Sequence, residues 1–122
     1  MILVDTSVWI DHLHHAEKEL VELLGDDLVL SHAGVIEELA LGSMREREAF
    51  TGFLSSLERC PSLTHEELMT FVEGARLWGR GLSVIDVHLL GSARLAGSAI
   101  WTRDKRFREA AKQVGVSVYE GR

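Results

Sequence analysis

The sequence has little of what secreted, membrane-spanning or thiolate-metal proteins need. Its single cysteine, Cys60, can form no internal disulfide and offers no CxxC zinc site. Hydrophobic runs such as residues 2–4 and 28–30 are far shorter than the roughly 18 apolar residues of a membrane helix. One proline and a hydrophobic share of 46% exclude a disordered or collagen-like chain. We therefore expect a compact cytoplasmic domain without a membrane partner.

Charge is distributed unevenly along the 122 residues. The 13 basic and 19 acidic residues give a net charge of −6, which at face value argues against a nucleic-acid partner. Residues 1–70, however, have a balance of −10, whereas residues 71–122 have a balance of +4. The second half could follow a phosphate backbone while acids elsewhere bind metal, although an ordinary solvated surface would give the same counts.

Apolar patterns and capping residues predict strands and helices in alternation. Strands are expected at residues 2–4, 28–30, 99–101 and 116–119, with an extended segment around 60–63. Helices are expected after Asp5, over 16–24, 31–41 and 45–57, after Thr64, from Ser83 to Gly97, and over 104–114. This order favours a parallel sheet covered by helices on both faces.

Two aspartates directly follow predicted strands. Asp5 stands immediately after residues 2–4, and Asp104 stands just beyond residues 99–101. The carboxyl ends of parallel strands meet at one edge of the sheet, and ligands bind at that edge in folds of this class. We therefore expect both carboxylates to lie there.

A third aspartate lies on a predicted helix. Asp86 shares a helical face with Leu89 and Ala93, where a carboxylate is costly unless it is paired or bound to metal. Its spacing from Ser83 equally fits an N-terminal cap of the same helix. Both interpretations stay open on the spacing alone.

Two adjacent glutamates present a similar choice. Glu38 shares a helical face with Val35 and Leu39, whereas Glu37 shares the neighbouring face with Ala40. Helical periodicity therefore does not decide which of the two glutamates faces a site.

Convergence of Asp5, one of these glutamates, Asp86 and Asp104 would require a cation. Two like charges about 4 Å apart repel by roughly 4 kcal/mol at an effective dielectric near 20. A site of carboxylate oxygens, without cysteine or an obvious histidine ligand, favours Mg²⁺ or Mn²⁺ over zinc. Such ions activate water and neutralise charge on a phosphodiester.

Four segments of the chain resemble one family. The opening MILVDTSVWIDHL and the segments VIEELALG, VIDVHLLGSARLAG and IWTRDKRF are similar to a PIN domain, and closely to the VapC ribonuclease toxins of prokaryotic toxin–antitoxin pairs. The resemblance runs almost from end to end and includes the order and spacing of all four acidic motifs. It implies a single PIN domain over residues 1–122, an α/β fold with three α/β/α layers and a short central parallel sheet flanked by helices.

The resemblance also implies a set of site residues. By position, the family's catalytic and metal-binding acids correspond to Asp5, Glu38, Asp86 and Asp104. Glu38 is favoured over Glu37 because it directly precedes the Leu-Ala of the family's ELA pattern. Asp104 is our candidate for an acid that orients water instead of binding metal directly.

Hydroxyl residues accompany two of these acids. Thr6 and Thr102 match hydroxyl positions in the family, and we expect them to orient carboxylates or water. Either threonine could instead only cap a helix. Gly91 stands where the family often has alanine, which affects helix packing and leaves the chemistry undisturbed.

The implied function is Mg²⁺-dependent hydrolysis of RNA by the toxin of a VapBC-type pair, with Mn²⁺ as a possible substitute. A metal-activated water would attack phosphorus in line, without a covalent enzyme intermediate. The substrate would be tRNA or another structured RNA. The resemblance further implies a homodimer and a cognate VapB-like antitoxin whose C-terminal arm covers the active-site groove.

Basic residues surround the last acidic motif. The candidates for contact with RNA phosphates are Arg103, Lys105 and Arg106. Each taken singly could equally be a solvated helix charge with a partner four residues away. The prediction therefore concerns the cluster and no individual member.

Several apolar residues have expected roles of their own. Cys60 is expected to be a small buried hydrophobe, and Trp101 is expected in the core because it lies in an apolar strand. Phe50, Phe53 and Leu57 recur at helical spacing and could form part of the core or part of a dimer interface.

Two other classes of function compete with the nuclease. A phosphoacceptor receiver domain also has an acid after its first strand and a lysine near its last, which Lys105 would imitate. That fold needs a further acid before its main aspartate, and residues 2–4 offer none. A catalytically silent PIN-fold module that only binds an antitoxin-like partner is the stronger alternative.

Overall fold

A short parallel sheet lies at the centre of the structure, a computed structural model that describes residues 1–122. Its strands are β1 (Ile2–Val4), β2 (Val29–Leu30) and β3 (Ala99–Trp101), in the order β2-β1-β3. Leu3 pairs with Leu30 on one side and with Ile100 on the other, both in parallel. Successive residues of β1 point to opposite faces and all are buried, so both faces of the sheet are covered.

Seven helices connect and cover the strands. They are α1 (Thr6–His14), α2 (Lys18–Gly25), α3 (Ala33–Ala40), α4 (Arg47–Ser56), α5 (His65–Ala75), α6 (Val84–Ala96) and α7 (Lys105–Gln113). None of these helices combines the length and the apolar character needed to cross a membrane. The arrangement confirms the predicted α/β class with a short parallel sheet flanked by helices.

Local capping residues set the start of α5 and both ends of α6. Thr64 and Glu67 form the predicted capping box at the start of α5, and Ser83 and Asp86 form the one at the start of α6. Helix α6 ends at Gly97, whose φ of 65° is accessible to glycine at little cost. These boundaries depend only on residues three apart or adjacent, so the sequence predicts them well.

Helices α2, α3 and α4 begin two residues later than predicted, and α3 starts after His32, whose side chain accepts from the Gly34 N–H as its cap. Before α2, the backbone N–H of Glu17 donates to His12 Nδ1 at 3.0 Å, which closes the turn and delays the helix. Before α4, Glu46 adopts a left-handed conformation with φ of 46°, which cannot continue a right-handed helix.

The predicted strand over residues 116–119 is reduced to a single bridge, between Val118 and Ile100. The Ile100 N–H donates to the Ser117 carbonyl and the Tyr119 N–H donates to the Ile100 carbonyl, at 2.9 and 2.8 Å. Beyond this point the Tyr119 hydroxyl donates to Glu19 at 2.9 Å, which draws the tail onto α2 and away from the sheet. The extended segment before residue 63 likewise makes one bridge, between Arg59 and Ser31.

The core is one cluster of 22 buried residues around the sheet. Trp101 and Cys60 are both buried, as predicted. Trp9 is fully buried, and its ring makes edge contacts with Phe50 and Phe53 at centroid distances of 5.8 and 6.5 Å. Phe50 and Phe53 therefore pack against the core through Trp9, although Phe53 stays partly exposed.

Gly91 allows α6 to approach the segment before α5 closely. A Cβ at this position would overlap Leu63 Cδ1 and would lie 3.3 Å from Phe71 Cδ2. The glycine thus serves helix packing, as its departure from the family pattern suggested.

Candidate active site

A polar crevice is expected where the chain direction changes in the sheet. The chain leaves β1 towards β2 on one side and later returns to β3 on the other side, so the carboxyl ends of β1 and β3 mark a topological switch point. Asp5 directly follows β1, and its N–H donates to the Trp101 carbonyl at 2.9 Å. Asp5 and the turn after β3 therefore lie side by side, at the predicted edge.

Two hydroxyls fix the Asp5 carboxylate. Ser7 Oγ and Thr102 Oγ1 each donate to Asp5 Oδ2 at 2.7 Å. Asp5 is only 5% exposed, so these bonds offset part of the cost of burying its charge. Asp5 Oδ1 accepts no hydrogen bond from the chain, which leaves one oxygen for another ligand.

The same threonine connects Asp5 to Asp104. The Asp104 N–H donates to Thr102 Oγ1 at 3.1 Å, so one hydroxyl joins the two acidic turns. Asp104 Oδ1 in turn accepts from the backbone N–H groups of Arg106 and Phe107 at 2.8 and 3.3 Å. Asp104 is therefore the N-cap of α7, and its Oδ2 has no hydrogen-bond partner.

Glu38 is brought to this edge by the other predicted threonine. Thr6 Oγ1 donates to Glu38 Oε1 at 2.7 Å, across 32 residues of sequence. Both glutamates are exposed to solvent, but Glu37 makes no side-chain hydrogen bond. The structure thus places Glu38, and not Glu37, against the residue that follows Asp5.

Asp86 takes part in the capping box of α6, and its negative charge is unfavourable where it lies. Its Oδ2 accepts from the Ser83 N–H at 2.9 Å, and its own N–H donates to Ser83 Oγ at 3.1 Å. Burial raises the pKa of Asp86 and the negative charges of Asp5 and Asp104 raise it further, against the Ser83 hydrogen bonds that lower it. The structure therefore confirms the cap, and the raised pKa of Asp86 reflects the cost expected of a partly buried carboxylate.

The four acids share one pattern of hydrogen bonding. In each, a single carboxylate oxygen accepts the bonds that position the side chain, and the second oxygen accepts none. The structure contains four ion pairs, and none of them involves these acids. Hard divalent cations prefer such unpaired carboxylate oxygens, so the donor chemistry fits Mg²⁺ or Mn²⁺. In their present positions, however, no three of these side chains are close enough together to hold a metal ion.

Ser7 is a site residue that the sequence reasoning missed. Besides donating to Asp5, its Oγ accepts from the Arg103 N–H at 3.0 Å. The available signal was a hydroxyl two residues after a carboxylate in a strand-to-helix turn, where such side chains commonly bond to each other.

The three predicted phosphate contacts differ in their surroundings. Arg103 forms ion pairs with Asp11 at 3.0 Å and Glu17 at 2.6 Å, so its charge is used within the chain. Lys105 and Arg106 are exposed and form no ion pair.

An apolar groove of about 550 Å³ opens beside Glu38. Its walls come from α1, the end of α3 and the start of α4, and include Ile10, Leu13 and Phe50. Ile10 and Leu13 are each more than two-fifths exposed, which is unusual for neighbouring apolar side chains on a helix.

Comparison with known proteins gives concordant results. The PIN domain family matches residues 2–113. The chain is 53% identical over 121 residues to Ribonuclease VapC32 from two strains of Mycobacterium tuberculosis, CDC 1551 / Oshkosh and ATCC 25618 / H37Rv, and the match covers 98% of each protein.

Solved structures share the fold at lower sequence identity. FitAcB from Neisseria gonorrhoeae superposes with a TM-score of 0.66 at 20% identity, covering 98% of this chain and 97% of that one. PAE2754 from Pyrobaculum aerophilum gives a TM-score of 0.64 at 19% identity, covering 92% and 85% of the two chains. At these identities the likeness concerns the fold alone.

Proposed function

The chain belongs to the PIN-domain family as a ribonuclease of the VapC kind, and from that premise we propose that a divalent cation bound by its four acids is required for RNA cleavage. Family membership makes it an endoribonuclease and the toxin component of a toxin–antitoxin system. The proposed ligands are Asp5, Glu38, Asp86 and Asp104. The proposed cofactor is Mg²⁺, with Mn²⁺ as a substitute.

The observation that supports this proposal is the uncompensated negative charge of the four acids at the edge of the sheet. Each of the four acids keeps one oxygen without a hydrogen bond, and none has a basic partner in an ion pair. The raised pKa of Asp86, caused by burial and by the charges of Asp5 and Asp104, indicates that negative charge accumulates there. A divalent cation would remove that repulsion.

The residues of the chain position and hold the acids. Thr102 and Ser7 hold Asp5 by one oxygen, and Thr6 holds Glu38 in the same way. A bound divalent cation would supply activation of a water molecule and stabilisation of the leaving oxygen. Asp104 is exposed at the N-terminus of α7, and among the four acids it is the one best placed to orient a water that enters from solvent, through a hydrogen bond to its free oxygen.

We further propose the biological setting that family membership supports. The substrate is tRNA or another structured RNA, read through loop shape more than through a residue code. The partner is a VapB-like antitoxin whose arm lies in the apolar groove beside Glu38, and the active form is a homodimer in the cytoplasm.

The two adjacent glutamates allow a matched test of the site. Purified wild-type protein, Glu38→Gln and Glu37→Gln should be incubated with total cellular RNA in Mg²⁺, in Mn²⁺ and in EDTA, with fragment ends read by sequencing. We expect defined, metal-dependent cuts by the wild type and by Glu37→Gln, and none by Glu38→Gln. The two variants remove the same charge from neighbouring positions, so general effects of charge cancel.

Other outcomes have distinct meanings. Cuts that persist in EDTA would exclude the cation, and equal activity of the two variants would exclude Glu38 as a ligand. A folded, partner-free wild type that cuts no RNA under any condition would favour the catalytically silent module. Expression without the antitoxin should slow cell growth for the wild type and for Glu37→Gln, and normal growth at high soluble levels of either would contradict the toxin function.

A further inference from the structure

We propose that Arg106 contacts a phosphate of the RNA substrate at the acidic edge, whereas Arg103 is a structural clamp that makes no contact with RNA. The inference rests on the proposed function, since it concerns how the same site receives its substrate. It assigns different roles to Arg103 and Arg106, which the sequence alone could treat only as members of one basic cluster with Lys105.

The Arg103 side chain pairs with two carboxylates of the chain. Its Nε donates to Asp11 Oδ2 at 3.0 Å, and its Nη2 donates to Glu17 Oε2 at 2.6 Å. Its guanidinium carbon also lies over the Trp101 ring, 5.5 Å from the centroid. Two carboxylate partners compensate its positive charge, so this guanidinium attracts a phosphate less than one without an ion pair would.

The contacts of Arg103 instead hold parts of the fold together. Asp11 lies on α1, and Glu17 lies in the connection to α2, so the side chain ties the turn after β3 to both. Its backbone N–H donates to Ser7 Oγ, the hydroxyl that holds Asp5. The Arg103 side chain therefore holds in place the turn whose backbone contacts Ser7, and its role is structural.

Arg106 has a different environment. Its backbone N–H donates to Asp104 Oδ1 at 2.8 Å, so the residue is attached directly to one of the four acids. Its side chain forms neither an ion pair nor a hydrogen bond, and the residue is exposed. The charge of this guanidinium is therefore available to a ligand.

Gly81 lets the Arg106 side chain lie close to the turn that precedes α6 and Asp86. A Cβ at Gly81 would overlap Arg106 Nη1 and would lie 3.1 Å from Arg106 Cδ. Gly81 has a φ of 73° and stands two residues before Ser83, the cap that binds Asp86. The Arg106 side chain thus extends from the turn of Asp104 to the turn that leads to Asp86.

This placement answers an electrostatic problem of the substrate. Even with one divalent cation bound, four carboxylates leave a net negative charge, and none of them has a basic partner in an ion pair, so an approaching RNA phosphate is repelled. A guanidinium can bind two phosphate oxygens through two parallel N–H groups. Because the Arg106 side chain lies against the backbone at Gly81, it is partly ordered before it binds. Lys105 is also exposed, but no contact of its side chain fixes its position.

The test measures RNA binding separately from cleavage. Asp5→Asn serves as the background, so that RNA stays intact, and a fluorescein-labelled single-stranded RNA of mixed sequence is the probe in anisotropy titrations over a range of salt. We expect Arg106→Ala to weaken binding about tenfold. It should also reduce the slope of log affinity against log salt by about 0.7, the value for one lost phosphate contact on a single strand. Arg106→Lys should retain the slope, because the charge remains.

Two matched controls separate contact from structure. Arg103→Ala should lower the melting temperature and leave the salt slope unchanged. Gly81→Ala and Gly79→Ala introduce a Cβ at similar positive φ values, 73° and 70°, but only the first would collide with Arg106. Gly81→Ala should therefore weaken RNA binding more than Gly79→Ala does.

The outcomes distinguish this inference from the proposed function. An unchanged slope in a folded Arg106→Ala protein, or an equal loss of slope in Arg103→Ala, would overturn the inference even if the wild type cleaves RNA. Binding that depends on Arg106 in a protein that cleaves no RNA would leave the inference standing and reject the nuclease.

Discussion

Two polar clusters lie beyond the carboxyl ends of the strands, and they satisfy their polar groups in opposite ways. Beyond β2, His32 is 2% exposed, accepts from the Gly34 N–H at Nδ1 and bonds Ser92 Oγ through Nε2, both at 2.9 Å. Beyond β1 and β3, each of the four acids uses one oxygen within the chain and leaves the other without a partner.

The difference separates a polar cluster that is complete within the chain from one that is not. Both ring nitrogens of His32 are used inside the protein, and its acceptor role at Nδ1 requires the neutral ring. Burial, followed by the charges of His88 and Arg59, lowers the pKa of His32 to about 4. The acids have the reverse property, because each keeps one oxygen without a hydrogen bond and none has a basic partner in an ion pair. An incomplete polar cluster at a switch point is the stronger sign of function.

The largest expected effect is on cleavage. Asp5→Asn should reduce the rate of RNA cleavage about a thousandfold, because a lost metal ligand removes several kcal/mol of transition-state stabilisation. The asparagine oxygen can still accept from Ser7 and Thr102, so the melting temperature should change little. Single-turnover cleavage and thermal unfolding measured on the same preparation check this. If Asp5→Asn lowered the melting temperature enough to explain its loss of activity, the acids would serve stability as the His32 cluster does, and the distinction between the two clusters would fail.

The His32 cluster should instead control stability against pH. Above the ordinary histidine pKa of 6.5 the ring is neutral in both folded and unfolded chains, and its contribution is fully present. As the pH falls from 6.5 towards 4, the unfolded chain binds a proton that the folded protein does not, and about 3 kcal/mol of stability is lost.

Urea unfolding at pH 7 and pH 4.5 measures this loss. His32→Asn keeps a good helix cap without a titrating group, so its loss of stability over the same interval should be smaller than that of the wild type. Equal losses in the two proteins would show that His32 does not carry the effect.

Metal should stabilise the acidic edge. At a hundredfold excess over its dissociation constant, Mg²⁺ should raise the free energy of unfolding of the wild type by about 2.7 kcal/mol. His32→Asn should show the same gain, since His32 makes no hydrogen bond to any of the four acids.

Asp86→Asn sharpens this prediction. The raised pKa of Asp86 means that its charge costs stability as pH rises above the ordinary value of 3.8. At pH 7 in EDTA the variant should therefore be more stable than the wild type, and it should gain less from Mg²⁺. Thermal unfolding with and without EDTA measures both effects, and a variant less stable than the wild type in EDTA would contradict the proposed repulsion.

The smallest effect concerns the hydroxyl that holds Glu38. Thr6→Val removes the 2.7 Å bond to Oε1 while keeping the shape of the side chain, and we expect about a tenfold loss of cleavage rate. Thr70→Val, an exposed substitution on α5, is the matched control and should have no effect. Equal rates for the two variants would show that Glu38 needs no positioning by Thr6.

The prediction of the fold from sequence was accurate where local signals act. The capping boxes of α5 and α6 and the glycine after α6 involve residues at most three apart, and their positions are confirmed. The prediction of the last strand was less accurate. Tyr119 bonds to Glu19, 100 residues away in sequence, and this contact draws the tail from the sheet so that only one bridge remains. The delayed starts of α2 and α4 likewise follow from a His12 contact and a left-handed Glu46 that no pattern indicated.

The sequence by itself determined the chemical identity of this protein. Four acidic motifs in order, two of them directly after strands, indicated a metal-dependent nuclease and its family before any geometry was known. Such motifs are readable because each consists of neighbouring residues whose types the chemistry restricts.

Only the tertiary structure decided how these residues work together. The bonds from Thr102 to Asp5 and from Thr6 to Glu38 join residues 97 and 32 apart, and the clamp from Arg103 to Asp11 spans 92. The register of parallel strands and the packing of helices on them fix these contacts, and neither leaves a periodic trace in the sequence. For that reason the different surroundings of Arg103 and Arg106, and the bonds of Ser7, became visible only in three dimensions.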